Sequence, residues 1–276
     1  MAIQFTKMHG LGNDFMMLDG VHQKLEFTTN DIAQWSQRNT GVGFDQCLII
    51  EPSSSPDIDF NYRIFNADGQ EVGQCGNGAR CLALFAHRYG LTTKTQLRVA
   101  TRTTRMQLMI NPDKTVTVDM GIPQLKPSSI PLLAQQQEPE YELKLLDGNS
   151  VQIHAIQVGN PHAVLLVSDV QTAPVQQLGA QICQHPHFPE QTNVGFMQII
   201  SPTHIKLRVF ERGAGETQAC GSGAVAAVAI GRLYHQLAAE VRVSLPGGDL
   251  IIHWPNKNEP ILLTGPATFV YEGSLL

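Results

Sequence analysis

One segment occurs twice in this chain, and it constrains the fold more than any other feature of the sequence. The first copy runs from Phe65 to Ala79 and the second from Phe210 to Ala224. A phenylalanine, a glutamate, a Cys-Gly pair and a Gly-Ala pair coincide at one offset of 145 residues, the separation of Cys75 from Cys220. Each cysteine precedes an apolar stretch with helical spacing. Two equivalent cysteines at the start of two helices therefore indicate an internal duplication.

Further motifs repeat in the same order along the two halves. Gly12-Asn13 and Gly159-Asn160 both precede an apolar strand, and Gly41–Gln46 has its counterpart in Asn193–Gln198. Three short strands follow each cysteine helix. Because there are only two copies, the repeat indicates a duplicated domain and not a solenoid. The sequence predicts an α/β (α+β) protein of two pseudo-symmetric domains, with a boundary near Gly121. Each is expected to be a mainly antiparallel sheet or barrel wrapped round a buried central helix.

Composition limits the possible partners and the compartment. The chain has 276 residues, 42% of them hydrophobic and 16% charged, with a formal net charge of −5. That balance offers no basic surface for nucleic acid. The longest apolar run, Ala224–Ile230, is too short to span a bilayer, and the N-terminus lacks the pattern of a signal peptide. Five cysteines are not typical of a disulfide framework. We therefore expect a cytoplasmic protein without a nucleic-acid or membrane partner.

A cysteine at the start of a helix has two chemical properties that matter here. The unpaired N–H groups and partial positive charge of the helix end stabilise a thiolate, so the pKa of the cysteine should fall. The glycines that follow let a carboxylate approach the same N–H groups. Two such ends facing each other across a cleft between the domains would place one sulfur on each side of an α-carbon. That arrangement suits inversion of a stereocentre, in which one group removes a proton and another supplies one.

The cysteines also have less specific interpretations. A lone cysteine ahead of an apolar helix is more often a small buried residue than a catalyst, and we keep that interpretation for Cys47, Cys81 and Cys183. The repetition favours a functional role for Cys75 and Cys220. No four-ligand cluster with zinc spacing is present, so no metal site is expected. The glycine-rich start of the first cysteine helix also lacks the Lys-Ser/Thr ending of a phosphate-binding loop.

Polar residues at glycine-flanked strand ends are the candidates for substrate contacts. They are Asn13, Gln46, Asn66, Asn160, Asn193, Glu211 and Arg212. A single asparagine in such a place is commonly a turn residue, but seven polar residues on repeating loops exceed what turns require. Asn66 and the Glu211-Arg212 pair differ between the copies, which predicts an asymmetric ligand with an anionic group for Arg212 and an ammonium for Glu211. His162 either orients Glu211 or the ligand, or makes a structural hydrogen bond.

Taken together, the ordered motifs resemble those of the diaminopimelate epimerase family. The segments that carry the resemblance are His9–Phe15, Phe65–Gly69, Cys75–Arg80, Gly159–His162 and Glu211–Gly223. They extend over essentially the whole chain. The resemblance implies interconversion of LL- and meso-diaminopimelate without pyridoxal phosphate or any other cofactor, on the route to lysine and peptidoglycan.

The resemblance also implies roles for individual residues. Cys75 and Cys220 would be the acid/base pair, and His162 and Glu211 would support the chemistry. Gly76-Asn77 and Gly221-Ser222 would surround the reacting carboxylate, and the seven polar loop residues would hold the substrate. The strand around Phe269–Tyr271 would return to the first domain, so that residues 1–120 with 265–276 form one half and residues 121–264 the other. Members of the family form homodimers, which would place Tyr271 at the interface.

Four alternatives remain open. A proline or hydroxyproline racemase also uses two thiols, although a ring substrate would not need Arg212 opposite the reacting end. The phenazine-pathway isomerases are a second relative, but they lack the cysteine pair. From another class, a redox sensor would join Cys75 to Cys220 in a reversible disulfide required for activity. A binding module for an amino acid would bind its ligand and exchange no proton.

Overall fold

The computed structural model describes residues 2–73 and 76–275, and the chain divides into two compact units. The first unit comprises Met1–Val118 and Gly265–Leu276, and the second comprises Asp119–Thr264. In chain order the elements are β1 (Gln4–Gly10), β2 (Asn13–Asp19), α1 (Thr29–Trp35), β3 (Gln46–Pro52), β4 (Phe60–Asn66), β5 (Glu71–Val72), α2 (Gly76–Arg88), β6 (Gln96–Ala100), β7 (Arg105–Ile110), β8 (Val116–Asp119), β9 (Tyr141–Lys144), β10 (Ser150–Gln157), β11 (Pro161–Leu166), α3 (Val175–Cys183), β12 (Asn193–Ser201), β13 (His204–Glu211), β14 (Gly215–Thr217), α4 (Gly221–Tyr234), β15 (Glu240–Leu245), β16 (Gly248–His253), β17 (Leu262–Gly265) and β18 (Thr268–Ser274).

The first unit is a mixed, mainly antiparallel sheet with two helices. Its strands pair in the order β18-β1-β2-β3-β4-β6-β7-β8, and β5 also pairs with β4. Among the strand pairs of its described residues, only β2–β3 and β4–β6 are parallel. A parallel pair needs a crossover connection, and each of these two connections contains a helix, α1 in the first and α2 in the second. The C-terminal strand β18 runs antiparallel to β1, from the pair Gln4↔Ser274 to the pair His9↔Thr268.

The second unit has the same topology. Its strands pair in the order β9-β10-β11-β12-β13-β15-β16-β17, and β14 also pairs with β13. In the part of the chain that the structure describes, two pairs of this unit are again parallel, β11–β12 and β13–β15, and their crossovers contain α3 and α4. The helices and strands therefore recur in one order in both units. This confirms the internal duplication that the repeated cysteine segment predicts.

Helix α4 is buried on every face over most of its length. Each residue from Ala224 to Ile230 has no exposed surface. The helix has no polar face to present to water, so the fold must cover it on all sides. Burying a valine or isoleucine side chain contributes roughly 1.5–3 kcal/mol, and Val225, Val228 and Ile230 each do so here. The prediction of a central buried helix is confirmed.

Three cysteines lie in the packed interiors of the units. Cys47 and Cys81 are fully buried and Cys183 nearly so, and all three are free thiols. Burial raises the pKa of Cys47 and of Cys183 above the usual range of a thiol. These positions agree with a structural role. Over the described part of the chain, no helix is long and apolar enough to cross a membrane.

Candidate active site

Cys220 forms the N-terminal cap of α4. Its backbone is extended, with φ −114° and ψ 108°, and its sulfur accepts the N–H of Gly223 at 3.3 Å. The cysteine therefore satisfies one of the N–H groups that a helix start leaves unpaired. There is no room for a side chain at Gly223, because a Cβ atom there would lie 2.9 Å from Cγ2 of Val209 and 3.3 Å from the Cys220 sulfur. The glycine thus allows the helix end and the thiol to pack closely.

The Cys220 thiol is less acidic than its position at the start of a helix predicts. Burial raises the pKa of the Cys220 thiol well above its usual range, and the charge of Glu211 raises it further. Hydrogen bonds from Ser222 and from the Gly223 N–H act in the opposite direction, as predicted for a helix end, but they are outweighed. The prediction of a lowered pKa was wrong for this cysteine, because it took no account of burial or of the neighbouring carboxylate. Cys220 is therefore protonated at neutral pH.

Glu211 ends β13 and is held in place by a hydroxyl that the sequence reasoning missed. The turn after β13 brings β14 alongside it, with Glu211 opposite Gly215. Thr217 on β14 donates its hydroxyl hydrogen to Oε1 of Glu211 at 2.5 Å. A signal for this pair existed in the repeat, because the first unit carries Asn66 and Val72 at the matching positions. Because both residues differ between the two copies, the repeat indicates a contact that only one unit makes.

His162 is fully buried beside the start of α4. Its Nε2 atom lies 3.0 Å from Oδ1 of Asn160 and 3.0 Å from the hydroxyl of Ser222. Burial, reinforced by the charge of Arg212, lowers the pKa of His162 to about 3, so the imidazole is neutral at physiological pH. The Ser222 hydroxyl in turn lies 3.5 Å from the Cys220 sulfur. His162 therefore holds the polar residue next to the thiol.

Arg212 and Asn193 complete the polar residues of the second unit. The backbone N–H of Arg212 donates to Oδ1 of Asn193 at 2.9 Å, and the amide nitrogen of Asn193 donates to the carbonyl of Pro161 at 3.1 Å. The guanidinium of Arg212 donates to the carbonyl of Glu190 at 2.7 Å. Most of the predicted residues of this unit are therefore linked, either by direct contacts or through the backbone of Pro161. They are Asn160, His162, Asn193, Glu211, Arg212, Cys220 and Ser222.

In the first unit the predicted residues gather around the start of α2. Cys75 lies outside the described residues. Gly76 begins α2, and the next side chain, Asn77, is buried and donates its amide hydrogen to Oδ1 of Asn13 at 3.2 Å. Asn13 follows a two-residue turn in which Leu11 and Gly12 both have positive φ, 55° and 88°. Such turns suit the twist of a hairpin, and this one sets Asn13 at the start of β2.

Gln46 and Asn66 are neighbours across the β3–β4 pair. Their Cα atoms are in register, and the amide nitrogen of Gln46 donates to Oδ1 of Asn66 at 2.9 Å. Gln46 is also in register with Phe15 on β2, two residues after Asn13. The sheet therefore places these predicted substrate contacts at the same end of adjacent strands.

An ionic network beneath Asn13 and Gln46 was not predicted. The Asp14 carboxylate accepts hydrogen bonds from both terminal guanidinium nitrogens of Arg38 at 2.9 Å and from the Lys7 ammonium at 2.6 Å. Arg38 also forms an ion pair with Asp45. Burial opposes ionisation, but the hydrogen bonds and charges of Arg38 and Lys7 lower the pKa of Asp14 to about 2. The available signal was an aspartate directly beside each predicted contact, in Asn13-Asp14 and Asp45-Gln46.

Tyr271 lies on β18, where its side chain is partly exposed. Its exposed fraction is 45%, and that of the preceding Val270 is 54%. The Tyr271 hydroxyl donates to the carbonyl of Val42 at 3.3 Å, and its ring contacts the Phe5 ring edge-on.

Within residues 2–73 and 76–275, no three histidine, cysteine or acidic side chains are grouped so as to hold a metal ion.

Comparison with known proteins gives matches along the whole chain. The family model described as diaminopimelate epimerase matches residues 5–126 and 154–270. A diaminopimelate epimerase of Legionella pneumophila (strain Lens) is 65% identical over 276 residues, which is 100% of both chains. Among solved structures, a PhzF-family phenazine biosynthesis protein of Bacillus anthracis has a TM-score of 0.69 at 16% identity, over 100% of this chain and 99% of that one.

A second solved structure extends the comparison. A hydroxyproline epimerase from Agrobacterium vitis, with bound trans-4-hydroxy-L-proline, has a TM-score of 0.69 at 13% identity, over 99% of this chain and 92% of that one. At such identities the two solved structures show a shared fold alone. The family model covers most of the chain, and the Legionella relative matches it from end to end. The chain therefore belongs to the diaminopimelate epimerase family.

Proposed function

We propose that this protein is an isomerase that interconverts LL- and meso-diaminopimelate by inverting one α-carbon. The observation that carries the proposal is Cys220 at the cap of α4, in a segment that the sequence repeats around Cys75. Family membership supports the substrate, because the full-length relatives bear that name. The reaction would supply a precursor of lysine and of peptidoglycan.

The two thiols divide the chemistry between them. One sulfur, as thiolate, removes the α-proton, and the other, as thiol, delivers a proton to the opposite face of the same carbon. Cys220 is well suited to begin as the thiol, because burial and Glu211 keep its proton on the sulfur. Cys75 then begins as the thiolate, and the roles exchange for the reverse reaction. Protein groups carry out both proton transfers, so this step needs no cofactor. The two thiols interact with each other and titrate as a unit.

Stabilisation of the reacting carboxylate is assigned to the helix starts. Proton removal converts the α-carbon and its carboxylate into an enediolate, so negative charge develops on oxygen. Backbone N–H groups at the start of α4, beginning with Gly221-Ser222, and of α2, beginning with Gly76-Asn77, are aligned donors for that charge. Burial strengthens such interactions because little water screens them. Cys220, with an exposed fraction of 3%, has such a setting.

Recognition of the distant end of the substrate is assigned to the asymmetric residues. Diaminopimelate carries an ammonium and a carboxylate at each end, so a selective site must bind the end that does not react. Arg212 would bind the distant carboxylate and Glu211 an ammonium. The bond from the Arg212 backbone to Asn193 fixes the loop that presents the guanidinium. The remaining contacts would come from the other polar loop residues, Asn13, Gln46, Asn66 and Asn160.

The organisation of the enzyme is part of the same proposal. Residues 1–120 with 265–276 would form one catalytic half and residues 121–264 the other. We expect a cytoplasmic homodimer with Tyr271 in the interface, which the partly exposed Val270 and Tyr271 support. Sedimentation of the Tyr271→Ala variant tests the interface. A shift toward monomer supports it, whereas an unchanged dimer contradicts the role of Tyr271.

Chiral separation of the products tests the proposed reaction. The reduced protein is incubated with LL-diaminopimelate and, separately, with meso-diaminopimelate, proline and hydroxyproline. We expect both diaminopimelate isomers to reach one common mixture, and the proline samples to stay unchanged. Racemised proline with unchanged diaminopimelate would support the racemase alternative. Activity that appears only after oxidation, with a Cys75–Cys220 disulfide, would support the redox sensor. Binding without any conversion would indicate an amino-acid binding module.

A further inference from the structure

A fully buried arginine ends a chain of hydrogen bonds at the start of α2. Arg80 has no exposed surface and is the largest side chain so enclosed among the described residues. Its terminal nitrogen donates to Oδ1 of Asn77 at 3.0 Å, and its Nε donates to the carbonyl of Pro266 at 3.1 Å. The Asn77 amide donates to Asn13 at 3.2 Å, and the Asn13 amide donates to Oδ2 of Asp45 at 2.9 Å. The four side chains thus form one connected relay.

The two ends of this relay fix the orientation of both amides between them. A guanidinium can only donate hydrogen bonds, and an ionised carboxylate can only accept them. Starting from Arg80, every bond must therefore point toward Asp45. Rotating either amide by 180° would set donor against donor or acceptor against acceptor. Asn77 and Asn13 are consequently each held in one of their two possible orientations.

The fold itself does not require a cation at this position. A cation close to a helix N-terminus is unfavourable, and burying it adds a desolvation penalty. At the matching position of α4 the chain has Val225, which is also fully buried. The first unit even makes room for the guanidinium, because a Cβ atom on Gly10 would lie 3.0 Å from its terminal nitrogen. Because an apolar side chain fills this position in the second unit, packing alone does not account for the arginine in the first unit.

The second unit performs the same positioning with a different residue. Ser222 is the counterpart of Asn77, and it lies 3.0 Å from the imidazole of His162. The same imidazole contacts Asn160, the counterpart of Asn13. In the second unit the buried imidazole thus bridges the two residues, whereas in the first unit Asn77 bonds Asn13 directly and the buried Arg80 holds Asn77 from behind.

We propose that Arg80 is a positioning residue, which orients Asn77 and Asn13 and adds a permanent positive charge at the start of α2 for the reacting carboxylate. The proposal rests on the proposed function, because it assigns Asn77 to that carboxylate. It makes the two halves of the site unequal, with a cation behind Asn77 and a neutral imidazole behind Ser222. Asp45 is the accepting end that gives the relay its direction.

Kinetics of two arginine variants test the role. Arg80→Met removes the guanidinium but keeps an apolar side chain of similar length, and Arg232→Met is the matched control. Arg232 lies in the last turn of α4 and also donates to a proline carbonyl, that of Pro255 at 3.1 Å. We expect kcat/KM of Arg80→Met to fall by about tenfold or more, mainly through KM. Arg80→Lys, which keeps the charge, should recover part of the loss, and Arg232→Met should match the wild type in kcat and KM.

A structural role predicts the reverse pattern and would overturn the proposal. In that case Arg80→Met lowers the melting temperature, but the folded enzyme keeps the wild-type kcat and KM. If Arg80→Met does not fold, Arg80→Lys decides, because an ammonium does not reproduce the two guanidinium bonds to Asn77 and the Pro266 carbonyl and should still raise KM.

A second readout does not depend on activity. The side-chain amide signals of Asn77, assigned in the ¹⁵N spectrum by loss in Asn77→Asp, report its hydrogen bonds. We expect these signals to shift and to exchange faster with solvent in Arg80→Met, but not in Arg232→Met. Unchanged Asn77 signals would contradict the positioning role. If the wild type does not epimerise diaminopimelate, the proposed function fails, and the amide signals still decide whether Arg80 orients Asn77.

Discussion

The hydroxyl of Thr217 donates to the carboxylate of Glu211 at 2.5 Å, a contact that the first unit does not repeat, because it carries Val72 and Asn66 at the matching positions. The duplicated halves have thus diverged at both members of one pair. The Glu211 carboxylate contributes to the raised pKa of the Cys220 thiol. Thr217 therefore fixes the group that keeps a proton on one of the two sulfurs.

Replacing Thr217 by valine, the residue of the first unit, tests this relationship. Thr217→Val keeps the shape of the side chain but removes the donor. A hydrogen bond to a charged group is worth about 1.5–3 kcal/mol, so we expect kcat/KM to fall by roughly tenfold to a hundredfold. Thr172→Val, at an exposed loop, is the control. An unchanged kcat/KM in Thr217→Val would contradict the assignment.

The assignment of the two reacting sulfurs predicts a sharp contrast among the cysteines. Cys75→Ala and Cys220→Ala should abolish turnover, because each removes one of the two groups that exchange the proton. Cys81→Ala should keep kcat and KM close to the wild type, since Cys81 is buried in α2 and its loss leaves only a small cavity. Turnover and thermal unfolding are measured for each variant. An equal loss of turnover in Cys81→Ala would show that the assignment is misplaced.

The buried neutral imidazole of His162 predicts a specific dependence of stability on pH. Its folded pKa is about 3, against about 6.5 when unfolded, so between these values the unfolded chain binds a proton that the folded chain does not. The stability that His162 provides is therefore complete above pH 6.5 and is lost as the pH falls. One such group changes the free energy of unfolding by up to about 1.4 kcal/mol per pH unit in that window.

Denaturant unfolding between pH 7 and 4 measures this dependence. We expect the wild type to lose stability more steeply than His162→Phe, which carries the residue found at the corresponding loop position of the first unit, Phe15. Parallel curves for the two proteins would mean that His162 takes up its proton normally in the folded state.

Close packing at the start of α4 makes Gly223 sensitive to a single added methyl group. In Gly223→Ala the new Cβ atom meets Val209 at 2.9 Å and the Cys220 sulfur at 3.3 Å. Overpacking of this kind costs about 1–3 kcal/mol, and here it also displaces the thiol, so both stability and kcat should fall. Gly195→Ala is the matched control, because the nearest atom to its Cβ would belong to Leu207, at an ordinary contact distance of 3.4 Å. Equal tolerance at both positions would show that the thiol is not held as tightly as described.

Much of the fold follows from local patterns in the sequence. The unbroken apolar run Ala224–Ile230 predicts a buried helix, and the alternation from Ile58 to Phe65 predicts the strand found as β4. Details at element ends depend on side-chain bonds that composition does not reveal. Helix α1, for example, is capped by Thr28 through a reciprocal bond with Asp31, and it ends at Trp35.

Other features depend on contacts that no local pattern specifies. Helix α3 was not predicted, because Pro174 at its start makes no side-chain cap. The polar loop residues could be selected from their places at glycine-flanked strand ends, but the bonds that join Asn13 to Asn77 and Gln46 to Asn66 could not be predicted. The raised pKa of Cys220 could not be predicted, because it results from burial and from a carboxylate nine residues away in sequence.

Transfer of solvent deuterium to the substrate tests the central claim most directly. The reduced protein is incubated in D₂O with LL-diaminopimelate, and the α-carbon signals are followed by NMR and mass spectrometry. In the first turnovers, a two-thiol mechanism predicts one deuterium at the inverted α-carbon of the meso product, none at the other α-carbon, and no inversion with Cys220→Ala. Inversion with the original hydrogen retained, or diaminopimelate that is bound but never exchanges, would contradict the account.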